Sequence, residues 1–258
     1  MKTLIAIPCF DTVHVEFVRS FMDLKKPEGT TFSFIPGTLI YEARNLIAQK
    51  AVENGFDRVL WLDSDMIIPP DALEVLTADM EEHRADLVTA LYFRRKPPTN
   101  PVLSNDLYWR VNDDGNVETG ATSYVDYPEN AVFPIRGTGF GCCLTSRNLL
   151  RKMVEVYGSP FTPLMGMGED FAFCWRADKA GFKMRCDSRV KCGHIGAYAY
   201  TEADFFKQTG RDAKNPRKVC KTCEYGRSNV CNDHGETIIN HEKHSCAEWR
   251  ERIRREYE

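Results

Sequence analysis

Arg58-Val59-Leu60-Trp61-Leu62-Asp63-Ser64-Asp65-Met66 is the stretch on which the reading of this chain turns. Five strand-like, mostly apolar residues run straight into two carboxylates spaced Asp-x-Asp. Alternate residues of an extended chain point the same way, so Asp63 and Asp65 can aim at one spot. Oxygen donors of this kind suit a hard divalent cation such as Mn2+ or Mg2+. Pro69-Pro70-Asp71-Ala72-Leu73-Glu74 follows as a turn and a helix start, with Asp71 as N-cap and Glu74 three residues on. Strand, acidic pair and helix together form the usual surroundings of a ligand in an open α/β sheet, beyond the carboxyl ends of the strands. Asp-x-Asp alone is also what solvated loop carboxylates look like, so its setting has to decide.

That setting alternates strands with helices. Lys2 to Pro8 reads as a buried strand leaving through Pro8-Cys9-Phe10-Asp11. Leu39 to Asn54 carries apolar residues at helical spacing and stops at Gly55. A helix from Asp71 to about His83 and a strand from Asp86 to Tyr92 come next. This rhythm predicts an α/β fold with a mainly parallel sheet covered on both faces. It lapses between Phe93 and Asn130, where Asn112-Asp113-Asp114-Gly115-Asn116 reads as a hairpin-like turn between Tyr108–Val111 and Val117. Arg94, Arg95 and Lys96 in this region fit a solvated basic loop or a phosphate-steering one.

Three glycines in Gly137-Thr138-Gly139-Phe140-Gly141 lack the spacing of a dinucleotide or phosphate-loop fingerprint. They imply a close backbone approach to a substrate or to a neighbouring strand. Cys142 to Thr145 continues as a strand, and Ser146 caps a helix reaching about Val156. Glu169 and Asp170 open a helix that Gly181 closes; carboxylates there are favoured by the helix dipole whether or not they have another role. Lys183–Cys186 and Val190–Cys192 read as two short strands. The second leads to Gly193-His194-Ile195-Gly196, where a histidine between glycines can face a cleft.

The composition excludes little: 258 residues, 43% hydrophobic, 28% charged and a net charge of -3 describe an ordinary globular chain without a global pull toward nucleic acid or anionic lipid. No stretch approaches the roughly 18 apolar residues of a membrane span, and the N-terminus reads as a strand rather than an export signal. The expected location is therefore cytoplasmic, with its ten cysteines reduced. Cys9, Cys142, Cys143, Cys174, Cys186 and Cys192 lie in apolar segments and read as core. Cys220-x-x-Cys223, Cys231 and Cys246 read differently, as a four-thiolate structural Zn2+ set resembling a small zinc knuckle, with His234, His241 or His244 able to replace one cysteine, and with a metal-free thiol set or two disulfides as the alternatives. A short polar segment could scarcely fold without such a staple. The basic run Lys207, Arg211, Lys214, Arg217, Lys218 and Lys221 leads into it, as a solvated linker or as an arm for a phosphate-rich partner such as nucleic acid. The expected division is a catalytic domain over 1–206, a basic linker over 207–219 and a Cys-rich tail with a terminal helix over 220–258.

Taken in order, several of these segments resemble the GT-A fold nucleotide-sugar glycosyltransferases, particularly the glycosyltransferase 2-like group. The resemblance covers about residues 1–200. It rests on Ile5-Ala6-Ile7-Pro8, Ala43-Arg44-Asn45, Leu62-Asp63-Ser64-Asp65, Gly137-Thr138-Gly139-Phe140, Gly168-Glu169-Asp170 and His194. It implies a Rossmann-like, mainly parallel mixed sheet flanked by helices, and transfer of a sugar from a nucleoside-diphosphate sugar, a UDP-sugar first among them. By the same resemblance, Pro8 and Cys9 would meet the base, and Arg44 would support the nucleotide. Asp63, Ser64 and Asp65 would hold donor and cation, with His194 completing the metal set. Gly137, Thr138, Gly139 and Glu169 would lie on the acceptor side. Asp170 would be the general base of an inverting transfer.

Two rivals remain. A nucleotidyltransferase shares paired carboxylates and metal but normally carries a Gly-rich basic loop after the first strand, which Pro8-Cys9-Phe10-Asp11 lacks. A non-catalytic sugar-nucleotide or nucleic-acid binding module would work through the basic Cys-rich tail. Glycan, lipid carrier, protein and modified DNA all stand as acceptors at this stage.

Overall fold

The computed structural model describes residues 1–209 apart from 11, 197 and 198. The four tail cysteines, the terminal helix and the linker from 210 onward lie outside the described residues. The first half runs β1 (Thr3–Pro8), α1 (Val15–Asp23), β2 (Thr30–Ile35), α2 (Ile40–Glu53), β3 (Arg58–Leu62), β4 (Met66–Ile67), α3 (Ala72–Glu82) and β5 (Leu87–Leu91). A hairpin follows, β6 (Leu103–Val111) and β7 (Val117–Ser123), then β8 (Val132–Pro134), β9 (Gly137–Thr138) and β10 (Cys142–Ser146). The remainder is α4 (Arg147–Tyr157), α5 (Glu169–Lys179), β11 (Met184–Lys191), β12 (Gly193–Ile195), β13 (Ala199–Tyr200) and α6 (Glu202–Thr209).

The central sheet has the order β2-β1-β3-β10-β5-β11-β8. Strands β1, β2, β3, β5 and β11 point one way; β10 runs against β3 and β5, and β8 against β11. This is the expected mainly parallel mixed sheet. Side chains alternate between two covered faces, which is why β1, β3 and β5 are buried at every residue. In β1, Leu4 and Ala6 face one core with α2, α4 and α5, while Ile5 and Ile7 face another with α1 and α3. In β3, Val59 and Trp61 join the first core, and Leu60 and Leu62 the second. Trp61 is buried with its indole N–H donating to Thr145 Oγ1 at 2.9 Å, so its polar edge is satisfied.

Local chemistry places the helices. Ser146 caps α4, its hydroxyl accepting from the Leu149 amide at 3.2 Å. Asp71 stands at the N-cap of α3, but its side chain makes no capping bond; Glu74 instead lies 3.4 Å from Lys25. The two short strands expected between Lys183 and Cys192 are one bulged strand, β11. Its buried polar pair breaks the apolar pattern. Asp187 is held by the Arg189 guanidinium at 2.9 Å, and the Ser188 hydroxyl donates to the Pro128 carbonyl at 2.7 Å. Five of the six described cysteines are buried free thiols, as expected of core residues; Cys9 is half-buried and faces a cavity. Among the described residues, no helix is long and apolar enough to cross a membrane.

Candidate active site

A cavity of about 780 Å³ opens at the carboxyl ends of β1, β3 and β5. Pro8, Cys9 and Phe10 leave β1 along one wall, with Thr38, Leu39 and Ile40 beside them. Asp63, Ser64 and Asp65 leave β3, and Tyr92 and the stretch from Arg94 to Pro98 leave β5. Arg44 from α2, Glu169 and Asp170 from the first turn of α5, and His194 from β12 complete the lining. Backbone pairing sets these positions. The Asp63 amide donates to the Gly141 carbonyl at 3.0 Å, and the Ile195 amide to the Asp65 carbonyl at 2.7 Å. Pairing of β12 with β4 puts His194 opposite Met66, next to the acidic pair.

Arg44 is the hub of the charge network. It is buried, yet one Nη donates to Glu169 Oε1 at 2.5 Å and the other to Asp63 Oδ1 at 2.8 Å. Its guanidinium also lies over the Phe140 ring, 5.5 Å from the centroid. Burial opposes the charge on Arg44, but Asp63, Glu169 and Asp170 outweigh it and hold its pKa above the ordinary value. Burial lifts the Asp63 carboxyl, Arg44 pulls it back, and Asp65 adds to the rise. Asp170 is partly buried, and its carboxyl is pushed up to about 6, first by burial and then by the charge of Glu169. Its Oδ1 accepts from the Phe171 amide at 2.7 Å.

Asp65 has a different environment. Burial would raise its carboxyl, but His194 and Arg95 overcome that and hold it below the usual value. Arg95 donates to Oδ2 at 2.6 Å, while Oδ1 is buried with no hydrogen-bond partner. His194 Nε2 lies 3.6 Å from Oδ2, and its Nδ1 lies 2.7 Å from the Phe93 carbonyl. A carbonyl only accepts, so Nδ1 carries the proton. Nε2 thus faces the Asp65 carboxylate either as an imidazolium N–H, the form that lowers the Asp65 pKa, or, with the ring neutral, as a lone pair that needs a cation between the two. An orphaned carboxylate oxygen beside an oriented imidazole is a donor set that fits a divalent cation. Asp63 is turned away from this pair toward Arg44, so Asp63, Asp65 and His194 do not close into the three-ligand group expected from sequence. Among the described residues, Asp79, Glu82 and His83 at the end of α3 do bring ligand atoms within 4.8 Å of one another. Asp79 there is already paired with Arg189 at 2.6 Å.

Residues 18–155, more than half of the chain, match the family model described as Glycosyl transferase family 2. The chain belongs to glycosyl transferase family 2. The matched range contains Arg44, Asp63 and Asp65 and ends before Glu169, Asp170 and His194. Among solved structures, the crystal structure of A197 from STIV superposes with a TM-score of 0.54 at 17% identity, over 76% of this chain and 86% of that one. That likeness is one of fold alone. A crystal structure of GalNAc-T7 with UDP, GalNAc and Mn2+ gives a TM-score of 0.48 at 12% identity, over 76% of this chain and 44% of that one. No curated protein matches the chain by sequence.

In this family 2 chain, Gly137, Thr138 and Gly139 do not line the cavity. Gly137 and Thr138 are buried in β9, with the Thr138 hydroxyl 3.2 Å from the Val102 carbonyl. The close approach signalled by the glycines is to side chains. A Cβ at Gly137 would meet Phe171 and Leu107, and one at Gly139 would collide with the Tyr92 hydroxyl. Gly139→Ala should therefore cost about 1–3 kcal/mol in a denaturant titration, and adding Tyr92→Phe should recover part of that loss. A Gly139→Ala protein as stable as wild type would refute the packing account.

Sequence reasoning passed over Tyr92 as a site residue and left Arg95 between a solvated basic loop and a phosphate-steering one. Tyr92 is buried, its hydroxyl accepts from the Gly141 amide at 3.1 Å, and its ring meets His194 edge-on at 5.5 Å. Burial, then the charge of Asp63, pushes the Tyr92 phenol well above its ordinary value, so it stays protonated. The available signal for both residues was their place directly after a buried strand.

Proposed function

We propose that this glycosyltransferase moves a sugar from a nucleoside-diphosphate sugar to an acceptor hydroxyl with inversion, with Asp170 as the base. The observation that carries this reading is one cavity in which Asp65 and His194 offer donors for a cation and Asp170, in the first turn of α5, lines the same space. When bound, a divalent cation such as Mn2+ or Mg2+ would act as a Lewis acid, offsetting the charge that develops on the departing diphosphate. Asp65 and His194 would hold it, with His194 kept in the ligating tautomer by the Phe93 carbonyl. Pro8, Cys9 and the neighbouring Phe10 give the base an apolar wall, and Ser64 gives the donor a hydroxyl.

Asp170 takes the proton from the acceptor hydroxyl as that oxygen bonds to the anomeric carbon. The bond from that carbon to the diphosphate oxygen breaks on the opposite face, and its electron pair leaves with the diphosphate. A carboxyl raised to about 6 is a stronger base than an ordinary one and is still ionised at neutral pH. Glu169, committed to Arg44, positions the first turn of α5 rather than the acceptor. UDP-sugars are the first donors to test.

The test is thermal unfolding with Mn2+ across UDP-, GDP-, CMP- and dTDP-linked sugars, for wild type and Asp65→Ala. One donor should raise the midpoint by about 5–10 °C at ligand near 100 times Kd, only with Mn2+, and not in Asp65→Ala. No shift with any donor would overturn the reading.

A further inference from the structure

Arg95 occupies a position that the transfer chemistry does not by itself require. It lies on the 94–98 rim of the cavity, half exposed, and donates to the Asp65 oxygen that also faces His194. Arg94 and Lys96 flank it, so this rim is strongly cationic. One backbone bond closes the loop, from the Arg94 amide to the Asn100 carbonyl at 3.0 Å, and the Thr99 amide ties it to α6 by donating to the Gln208 side chain at Oε1, 2.6 Å away. Its ends are therefore tied down while the Arg95 side chain reaches inward. A guanidinium on Asp65 Oδ2 and a divalent cation on the same carboxylate repel each other at close range. A nucleoside diphosphate beside the cation changes the balance, because it offers the guanidinium several anionic oxygens and bidentate geometry.

We propose that Arg95 is an exchange residue: it pairs with Asp65 when no diphosphate is present, and transfers to the diphosphate when cation and donor bind together. This rests on the donor-site reading above. Arg95 then acts as a positioning residue that makes cation and nucleotide binding mutually dependent. The coupling is reciprocal, so each ligand tightens the other by the same factor. A cation alone meets a competitor for its carboxylate, and a nucleotide alone lacks the cation beside which it would sit.

The experiment is Mn2+ titration followed by electron paramagnetic resonance, on wild type, Arg95→Ala and Arg95→Lys, with and without saturating UDP or GDP. Wild type should bind Mn2+ weakly alone and more tightly with one of the nucleotides. In Arg95→Ala, Mn2+ alone should bind about 5-fold more tightly, as expected for removing a partly exposed ion pair. The tightening by nucleotide should shrink by at least that factor, and Arg95→Lys should fall between. Arg95→Ala that binds Mn2+ alone like a Mn2+-binding wild type overturns this inference and leaves the donor-site reading standing. A wild type that binds no Mn2+ with either nucleotide overturns the cation part of the donor-site reading and this inference with it.

Discussion

Asp170→Asn is expected to lower kcat by about 10^2- to 10^4-fold, the usual contribution of a positioned general base. The amide matches the carboxylate in shape and can still accept from the Phe171 amide, but it cannot take the acceptor proton. The wild-type rate should rise with pH through about 6, as the raised Asp170 carboxyl ionises, and that limb should vanish in the variant. Stability should move the other way. A carboxyl whose pKa is raised on folding stabilises the protein below its unfolded pKa, and that stabilisation is lost as pH rises through about 6. At pH 8 the wild type carries an ionised, partly buried Asp170 beside Glu169, a repulsion that the neutral amide avoids. The variant should therefore melt about 2–4 °C higher there, for roughly 1 kcal/mol after discounting for solvent, with the difference closing near pH 4. Retained turnover within threefold of wild type would remove Asp170 from the base role.

Arg44→Met should show the largest loss of stability of any substitution in the cavity. Methionine fills the volume over Phe140 but leaves Asp63 and Glu169 without their shared cation. Stranding a buried charge partner costs about 3–5 kcal/mol, which corresponds to a midpoint lower by about 10 °C in a domain of this size. Lysine is no remedy, since one ammonium cannot reproduce two separate Nη contacts to carboxylates on different elements. Arg44→Met with Glu169→Gln should recover part of the loss, because one stranded charge is then gone. Melting curves of the two variants decide the matter. A single variant within 2 °C of wild type would mean that Asp63 and Glu169 are satisfied by solvent.

The contrast between Arg44 and Asp63 shows what sequence patterning carries and what it does not. Strand β3, helix α2 and helix α5 were legible because their apolar residues recur at period 2 or near 3.6 and their ends carry caps or glycine stops. The same signals failed for α1 and β2, where Val15, Met22, Phe32 and Phe34 are exposed and apolar residues do not mark the inside. They failed again at β11, where buried Asp187 and Ser188 imitate a loop. At the site, the carboxylates and His194 could be nominated one by one from segments that match a known order of motifs. Their partners could not. That Asp63 turns to Arg44, and Asp65 to Arg95 and His194, is fixed by tertiary pairing between segments far apart in the chain, which no local spacing encodes. The glycines of 137–141 did announce a close approach, but to Tyr92 and Phe171 rather than to a ligand.

Strand β10, threaded against its neighbours in the middle of the sheet, has a consequence for how such a chain can change. It reaches the cavity with its first residues, whereas β3 and β5 reach it with their last. The chain therefore leaves the cavity rim after β5 and comes back to the same rim before β10, with the β6–β7 hairpin, the edge strand β8 and β9 in the excursion between. The hairpin, which pairs with β9 and not with the central sheet, can be lengthened, trimmed or exchanged at its tip without rethreading the central strands. The hairpin side of the cavity is thus an interchangeable fitting, while the wall bearing Asp63 and Asp65 belongs to the permanent frame.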